Sequence, residues 1–345
     1  MTRLVNIRSV SIGGNNKIAI QSMTNTDTSD FEATLSQLKA LESAGCDIAR
    51  LAVSNDLDVE SCKKLIGVTS MPLVADIQFD YRLAIKCAEI GFSKIRFNPG
   101  NIGSDQKVKL VVDACKRAGV PIRVGVNSGS LDKEIKDKYG VTAEALTESA
   151  MRHVRLLEKF GFYDTVISVK SSNVNLCVSA YRMLASVSDY PLHIGITESG
   201  GGEAALLKSA VGIGSLLIDG IGDTVRVSLS DNPVEEIYAA KKILRAAGKD
   251  VNFCEIVSCP TCSRCKYDLI SIVKEMQDYV KDVVKPMKIA IMGCVVNGPG
   301  EAEDADFGVA GGLDKAVIFE KGKIVKTIKR EEILLELKKR VDENR

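Results

Sequence analysis

Eight short runs rich in β-branched residues, each followed by a helix-length gap, constrain this chain more than any other feature. They are KIAIQSM (17–23), DIARLAV (47–53), PLVADI (72–77), KIRFNP (94–99), PIRVGV (121–126), DTVISVK (164–170), PLHIGIT (191–197) and TVRVSL (224–229). Near-continuous apolar strands are buried on both faces, the environment of a parallel sheet covered by helices. The intervening segments agree. DFEATLSQLKALESAGC and DYRLAIKCAEIGF carry apolar residues at helical period and end at glycine, the usual helix stop. Eight βα units in about 230 residues predict a (β/α)8 TIM barrel. A doubly wound sheet shares the alternation, but no glycine-rich dinucleotide fingerprint follows the first run.

After a last helix, NPVEEIYAAKKILRAAGKD, the pattern changes. VNFCEIVSCP and MKIAIMGC read as strands ending on cysteines, separated by the helix YDLISIVKEMQDYVKDVV. AVIFEKGKIVKTI reads as a hairpin through Lys-Gly, and REEILLELKKRVDEN as a charged amphipathic helix. The expected organisation is a barrel over residues 1–248 and a small α+β domain over 249–345, joined by a short hinge.

Composition narrows the function classes. Apolar residues make up 45% and charged residues 26%, with a net charge of +1, so no basic face offers itself to nucleic acid or an anionic membrane. Trp is absent, which argues against stacking platforms for single strands. No stretch reaches the length of a membrane span, and the N-terminus has no apolar leader core. The expectation is a cytoplasmic protein whose ten cysteines stay mostly reduced, as thiolate ligands or as small buried hydrophobes.

In a barrel, chemistry sits at the C-terminal ends of the strands. Those ends are unusually polar here: Thr24, Asn25, Ser54, Asp76, Asn98, Asn127, Lys170, Glu198 and Ser228. Arginines also interrupt the apolar runs at Arg50, Arg96, Arg123 and Arg226. A guanidinium cannot shed its proton, so burying it costs several kcal/mol unless an anion meets it. Internal pairs with Asp76, Glu198 and Asp223 would serve for any one of them. Four at matching strand positions, with Lys170, point to a shared polyanion, phosphate first among candidates because Arg grips it bidentately. His153 and His193 are the only histidines, which argues against a His-ligated catalytic zinc and a Ser-His-Asp triad.

Five cysteines are scattered singly: Cys46, Cys62, Cys87, Cys115 and Cys177. The other five, Cys254, Cys259, Cys262, Cys265 and Cys294, crowd into one short region. Cys-x2-Cys alone is ambiguous between zinc and iron–sulfur. A zinc ribbon wants a second such pair or two histidines, and IMGCVVNGPGE offers one cysteine and none. Three thiolates and an oxygen ligand suit a 4Fe-4S cluster with one exchangeable iron position, open to Lewis-acid chemistry on a substrate oxygen. Glu301, seven positions after Cys294, is the candidate oxygen ligand, the NGPG turn (297–300) folding the two together. Cys259 and Cys262 flank a Pro-Thr turn, and spacing leaves Cys265 in reach as well. A zinc-stabilised binding protein, and an aldolase-like or pterin-synthase-like barrel with a zinc tail, remain as alternatives at this level.

The motifs CPTCSR, MGCVVNGPGE, QSMTNTDT, ADIQFDYRLA, RFNPGNIG, RVGVNSGSL, PLHIGITESGG and GIGDTVRVSL, in this order, resemble the 4-hydroxy-3-methylbut-2-enyl diphosphate synthase family in its two-domain bacterial form. The resemblance runs from about residue 5 into the C-terminal domain. It implies a barrel followed by a sulfite-reductase-like 4Fe-4S domain. It also implies a homodimer in which one subunit's cluster domain closes over the other's barrel. The implied reaction is two-electron reductive dehydroxylation and ring-opening of 2-C-methyl-D-erythritol 2,4-cyclodiphosphate in the methylerythritol phosphate route to isoprenoids. Ferredoxin or flavodoxin would supply the electrons. Carried over position by position, the cluster ligands are Cys259, Cys262, Cys294 and Glu301. The diphosphate cradle is Arg50, Arg96, Asn98, Arg123, Asn127, Lys170, Arg226 and Ser228, and Asp76 and Glu198 are the acids nearest the chemistry. Two positions depart from the family. Gln78 stands where relatives have histidine and cannot carry a proton, and Cys265 stands where relatives often lack cysteine, which makes it a bystander.

Overall fold

The computed structural model describes residues 1–281, 283–296 and 298–345, which form two compact units, Met1–Lys249 and Asp250–Arg345. The first unit opens with a two-stranded antiparallel hairpin, β1 (Val5–Ile7) and β2 (Val10–Ile12). Eight parallel strands follow: β3 (Ala19–Met23), β4 (Ile48–Ala52), β5 (Leu73–Asp76), β6 (Lys94–Phe97), β7 (Ile122–Asn127), β8 (Thr165–Lys170), β9 (His193–Ile194) and β10 (Thr224–Val225). Their ladder order is β8-β7-β6-β5-β4-β3-β10-β9, and a single parallel bridge, Ile167 to Leu192, completes the circle. This is the eightfold barrel the strand count predicts.

The helices between the strands start where capping chemistry places them. Asp30 accepts from the Ala33 N–H to begin Phe31–Ser43, Asn55 forms a capping box with Asp58 to begin Asp56–Val68, and Asp80 accepts from Arg82 to begin Tyr81–Glu89. Their apolar faces join the outward side chains of the strands in one large core. The closing seam is weak in strand hydrogen bonds, and Tyr181, fully buried on the helix Val174–Val187, reinforces it. Its hydroxyl donates to the His193 carbonyl (2.6 Å) and accepts from the Val169 N–H (3.3 Å), tying β8 to β9.

The strand register sorts the barrel's inward residues into layers of four from alternate strands. Ala19 and the hairpin residues Val5, Ile7 and Ile12 form the floor, and Ile48, Val74 and Val166 pack down onto it. Above that floor the interior is polar, where most barrels carry bulky branched residues. Lys94 and Thr224 share the lowest full layer with Ile48 and Val166, Gln21, Arg123 and His193 share the next with Val74, and Arg50, Arg96, Ser168 and Arg226 follow. Higher still stand Met23, Asp76, Gly125 and Gly195, and Lys170 and Ser228 reach the mouth.

The second unit is a five-stranded sheet in the order β11 (Cys254–Ser258), β12 (Met287–Met292), β13 (Phe307–Gly311), β14 (Lys315–Glu320) and β15 (Lys323–Lys329). The first three strands run parallel and the last two antiparallel. Helices Leu269–Val280 and Ile333–Glu343 cover one face through Leu269, Met276, Val280, Ile333, Leu337 and Val341. The expected hairpin is present, turned by Lys321 (φ 46°) and Gly322 (φ 76°), the paired positive φ values of a type I′ turn. Among the described residues, no helix is long and apolar enough to cross a membrane.

Candidate active site

A pocket of about 290 Å³ opens at the C-terminal ends of the barrel strands. Arg50, Arg96, Arg123, Lys170 and Arg226 line it, with Asp76 as its one acid and Gln78, Asn127, Ser168, Thr197 and Ser228 as its neutral polar groups. Period-2 alternation aims these side chains inward, since Arg50 and Arg96 point to the same side as Asp76 on the strand between them. Two glycines make the room. A Cβ at Gly125 would lie 2.9 Å from Arg96 Nε, and one at Gly195 would lie 3.0 Å from Lys170 Nζ and 2.5 Å from the Arg226 carbonyl.

Asp76 holds two of the arginines, at 2.8 Å to Arg96 and 3.4 Å to Arg50. Burial works against its carboxylate, but Arg50, Arg96 and Arg123 outweigh that penalty and hold its pKa below the usual range. Arg226 is held by Glu236 of the helix Pro233–Ala246, through Nη2 at 2.9 Å and Nε at 3.1 Å. Among the described residues, the ion pairs of these arginines run to Asp76 and Glu236. Asp223 is engaged elsewhere, by the Thr2 hydroxyl and the Leu192 N–H.

Arg123 is different. It is 1% exposed, and its Nε and Nη1 have no hydrogen-bond partner. Burial, then the charges of Arg50 and Arg96, press its guanidinium toward the neutral form. Lys170 is pressed the same way, by burial and then by Arg226, Arg50 and Arg123. A cluster in which like charges crowd and donors stay unmet is built for an anion from outside the chain.

Not every expected residue lies in this pocket. Asn98 is buried just after β6, but its side chain accepts from the Gly100 N–H (3.1 Å) and caps the short helix Pro99–Ile102. Glu198 is exposed in the loop after β9, outside the pocket lining, with its backbone in the left-handed region (φ 53°). Such a conformation is uncommon for a non-glycine residue and clusters at functional loops. Two residues that sequence reasoning missed are Glu236 and Lys94. Glu236 shares a helical face with Ala240 and Ile243, which marks an acid in a buried position. Lys94 lies two residues before Arg96 on the same inward face.

In the second unit, β11 and β12 are parallel neighbours, so the segments after their C-terminal ends emerge side by side. Those segments carry Cys259 and Cys294. Gly293 is the meeting point: its N–H donates to Cys259 Sγ (3.2 Å), and a Cβ on it would lie 3.1 Å from Cys265 Sγ and 3.4 Å from Cys259 Sγ. Glycine here leaves a cradle faced by two sulfurs. Cys262 is exposed, and the Arg264 N–H and charge hold its thiol below its usual pKa. Glu301 ends the short helix Gly298–Glu301, and Asn297, the first residue of the expected turn, lies outside the described residues. Among the described residues, no three His, Cys, Asp or Glu side chains are gathered closely enough to hold one metal ion. The donor set, several soft thiolates around a glycine cradle at paired strand ends, fits an iron–sulfur group. The single cysteines behave otherwise: Cys46, Cys62, Cys87, Cys115 and Cys177 are all buried, and burial pushes the thiols of Cys46, Cys62 and Cys115 up to about 12.

Comparison with known proteins agrees with this division. The profile of the GcpE TIM-barrel domain matches residues 2–241, and that of the GcpE protein C-terminal domain matches residues 255–343. The chain belongs to the GcpE family. Among its relatives, a 4-hydroxy-3-methylbut-2-en-1-yl diphosphate synthase (flavodoxin) of Caldanaerobacter subterraneus is 55% identical over 343 residues, 99% of this chain and 97% of that one. The protein of the same name from Fusobacterium nucleatum is 52% identical, over 99% of this chain and 97% of its own. Two solved structures are similar in fold at low identity. A type I 3-dehydroquinate dehydratase from Clostridium difficile covers 73% of this GcpE chain and is itself covered completely, at TM-score 0.54 and 15% identity. An N-acetylneuraminic acid synthetase from Leptospira borgpetersenii covers 82% of this chain, and 99% of its own length is covered, at TM-score 0.51 and 12% identity.

Proposed function

We propose that this chain catalyses the reductive dehydroxylation and ring-opening of 2-C-methyl-D-erythritol 2,4-cyclodiphosphate to 4-hydroxy-3-methylbut-2-enyl diphosphate. Two electrons and two protons enter and one water leaves. The observation that carries the reading is the pocket itself, five cations around one carboxylate at the barrel mouth of a GcpE-family chain.

Arg50, Arg96, Arg123, Lys170, Arg226 and Ser228, with Asn127 at the rim, hold the diphosphate, and Asn98 caps the short helix beside them. Asp76 aims Arg50 and Arg96 at it, as Glu236 aims Arg226. Ring opening leaves on the diphosphate an oxygen that had been bonded to carbon. Negative charge grows there, and the guanidinium of Arg123 at the bottom of the pocket is preorganised to stabilise it. Glu198 orients or supplies a proton from its strained loop position. Cys259, Cys262, Cys294 and Glu301 would hold a 4Fe-4S cluster, which supplies the two electrons one at a time when bound. The two relatives named above carry flavodoxin in their names, and we assign flavodoxin or ferredoxin as the electron donor. The family resemblance further supports a cytoplasmic homodimer in which each cluster domain serves the partner's barrel.

Anaerobic purification tests this. The protein should be brown, with iron and sulfide near four per chain, and should open the cyclodiphosphate when reduced flavodoxin is supplied. Colourless protein carrying one zinc per chain would overturn the reading.

A further inference from the structure

Beneath the pocket lies a second polar layer, which Arg123 joins to the pocket and which the proposed reaction otherwise leaves unused. Lys94 is 0% exposed, and the contact made by its ammonium is Gln21 Oε1 at 3.4 Å. Around it, Gln21 Nε2, Arg123 Nε and Nη1 and His193 Nε2 are buried without hydrogen-bond partners. His193 Nδ1 is 2.6 Å from Thr224 Oγ1, and the tautomer in which Thr224 donates leaves Nε2 as an N–H donor. Every unmet atom of this set is then a donor, and the side-chain acceptors beside them are Gln21 Oε1, which already serves Lys94, and Thr224 Oγ1. A water needs acceptors as well as donors; an anion needs donors alone. Ile48, Val74 and Val166 fill the other positions of these two layers, and the hairpin residues Val5, Ile7 and Ile12 packed against them exclude solvent from below, which strengthens each charge interaction.

Charge balance points the same way. Six cations, Arg50, Lys94, Arg96, Arg123, Lys170 and Arg226, face Asp76 and Glu236 as their carboxylate partners. A cyclic diphosphate brings two negative charges, one on each phosphoryl group, so positive charge remains uncompensated even with the mouth filled. The deepest group is Lys94, which burial, then Arg123 and Arg50, press toward its neutral form, and an anion beside it would restore its charge. Inward side chains fill the layers above and below, which limits the occupant to a small ion.

We propose that the barrel binds a second anion, small and monovalent, of the halide class, held by Lys94, Arg123, Gln21 and His193 below the diphosphate pocket. The site shares Arg123 with the substrate pocket above it, and its occupancy does not depend on the reaction assigned there.

Full-length protein crystallised in sodium bromide, with inorganic diphosphate filling the pocket, should show an anomalous peak between Lys94 and Arg123. In solution, again with diphosphate present, bromide or chloride replacing gluconate at constant ionic strength should raise the barrel's melting temperature by several degrees and saturate. Lys94→Met should abolish that increment, and Gln21→Leu should move its midpoint at least tenfold to higher halide. If Lys94→Met does not fold, the Gln21→Leu midpoint and the bromide peak carry the test. A halide increment unchanged in the variants, or a bromide-grown crystal with no peak in this layer, overturns the proposal.

Discussion

Asp76→Asn is the sharpest test of how the pocket is held together before any ligand arrives. The carboxylate lies 2.8 Å from Arg96 and 3.4 Å from Arg50 with a side-chain exposure of 7%, so the substitution removes one partner from a buried ion pair. Breaking such a pair costs about 3–5 kcal/mol because the remaining charge stays buried and unpaired. Asn keeps one oxygen that can accept from Arg96, which puts the expected loss at the lower end, about 3 kcal/mol. For a unit of this size that is a fall of about 6–12 °C in melting temperature. Differential scanning calorimetry of the whole protein in phosphate-free buffer would measure it. The same substitution removes the one acid that competes with a bound anion, so inorganic diphosphate should stabilise Asp76→Asn more than wild type. The pH dependence has a definite sign. The folded-state pKa of Asp76 is depressed below 3.8, so its stabilisation is complete at neutral pH and disappears as pH falls from about 4 through that lower value. The gap between wild type and variant should therefore close in acid. A variant melting within 2 °C of wild type at pH 7, with no larger response to diphosphate, would refute this account of the arginine cluster.

Gly125→Ala should place a methyl 2.9 Å from Arg96 Nε, push the guanidinium off Asp76, and weaken diphosphate binding by about tenfold, readable by calorimetric titration. Tyr181→Phe removes a hydroxyl that bonds both sides of the barrel seam and should destabilise the first unit by about 1–3 kcal/mol in urea denaturation, with the pocket's diphosphate affinity kept. Cys265→Ser should leave iron near its wild-type content, whereas Cys259→Ser should lose it, as measured by iron and sulfide analysis of anaerobically purified protein.

The barrel was legible because its strands are buried on both faces, which makes each one a continuous apolar run. The arginines stood out against those runs for the same reason. Lys94 did not, because it opens its run, at the edge where a polar residue is ordinary. Glu236 was hidden by its neighbour Glu235, since two adjacent acids at a helix start read as dipole complement and only the spacing to Ile243 separates the buried one from the exposed one. The ladder lengths were not legible either: the seven-residue run at 191–197 and the six-residue run at 224–229 yield ladders of only two residues each, and a tyrosine hydroxyl bridges the seam beside them. In the second unit, β13 carries glycines that lower its strand propensity. Gly308 is nonetheless required, because a Cβ there would lie 2.5 Å from the Phe319 ring and 2.8 Å from Ala290 Cβ. Asn98, a polar strand end by pattern, serves as a helix cap, which spacing alone could not separate from a ligand contact.

The plugged floor of the barrel has a consequence for traffic. With the β1–β2 hairpin packed across the bottom, the interior is a cul-de-sac, and everything that enters or leaves uses one doorway. Incoming and outgoing molecules cannot pass each other, so a spent molecule blocks the next turnover until it backs out. Inhibition by the reaction's own product should accordingly be overcome by raising substrate alone, and any ion lodged in the deepest layer is locked in for as long as the doorway is occupied.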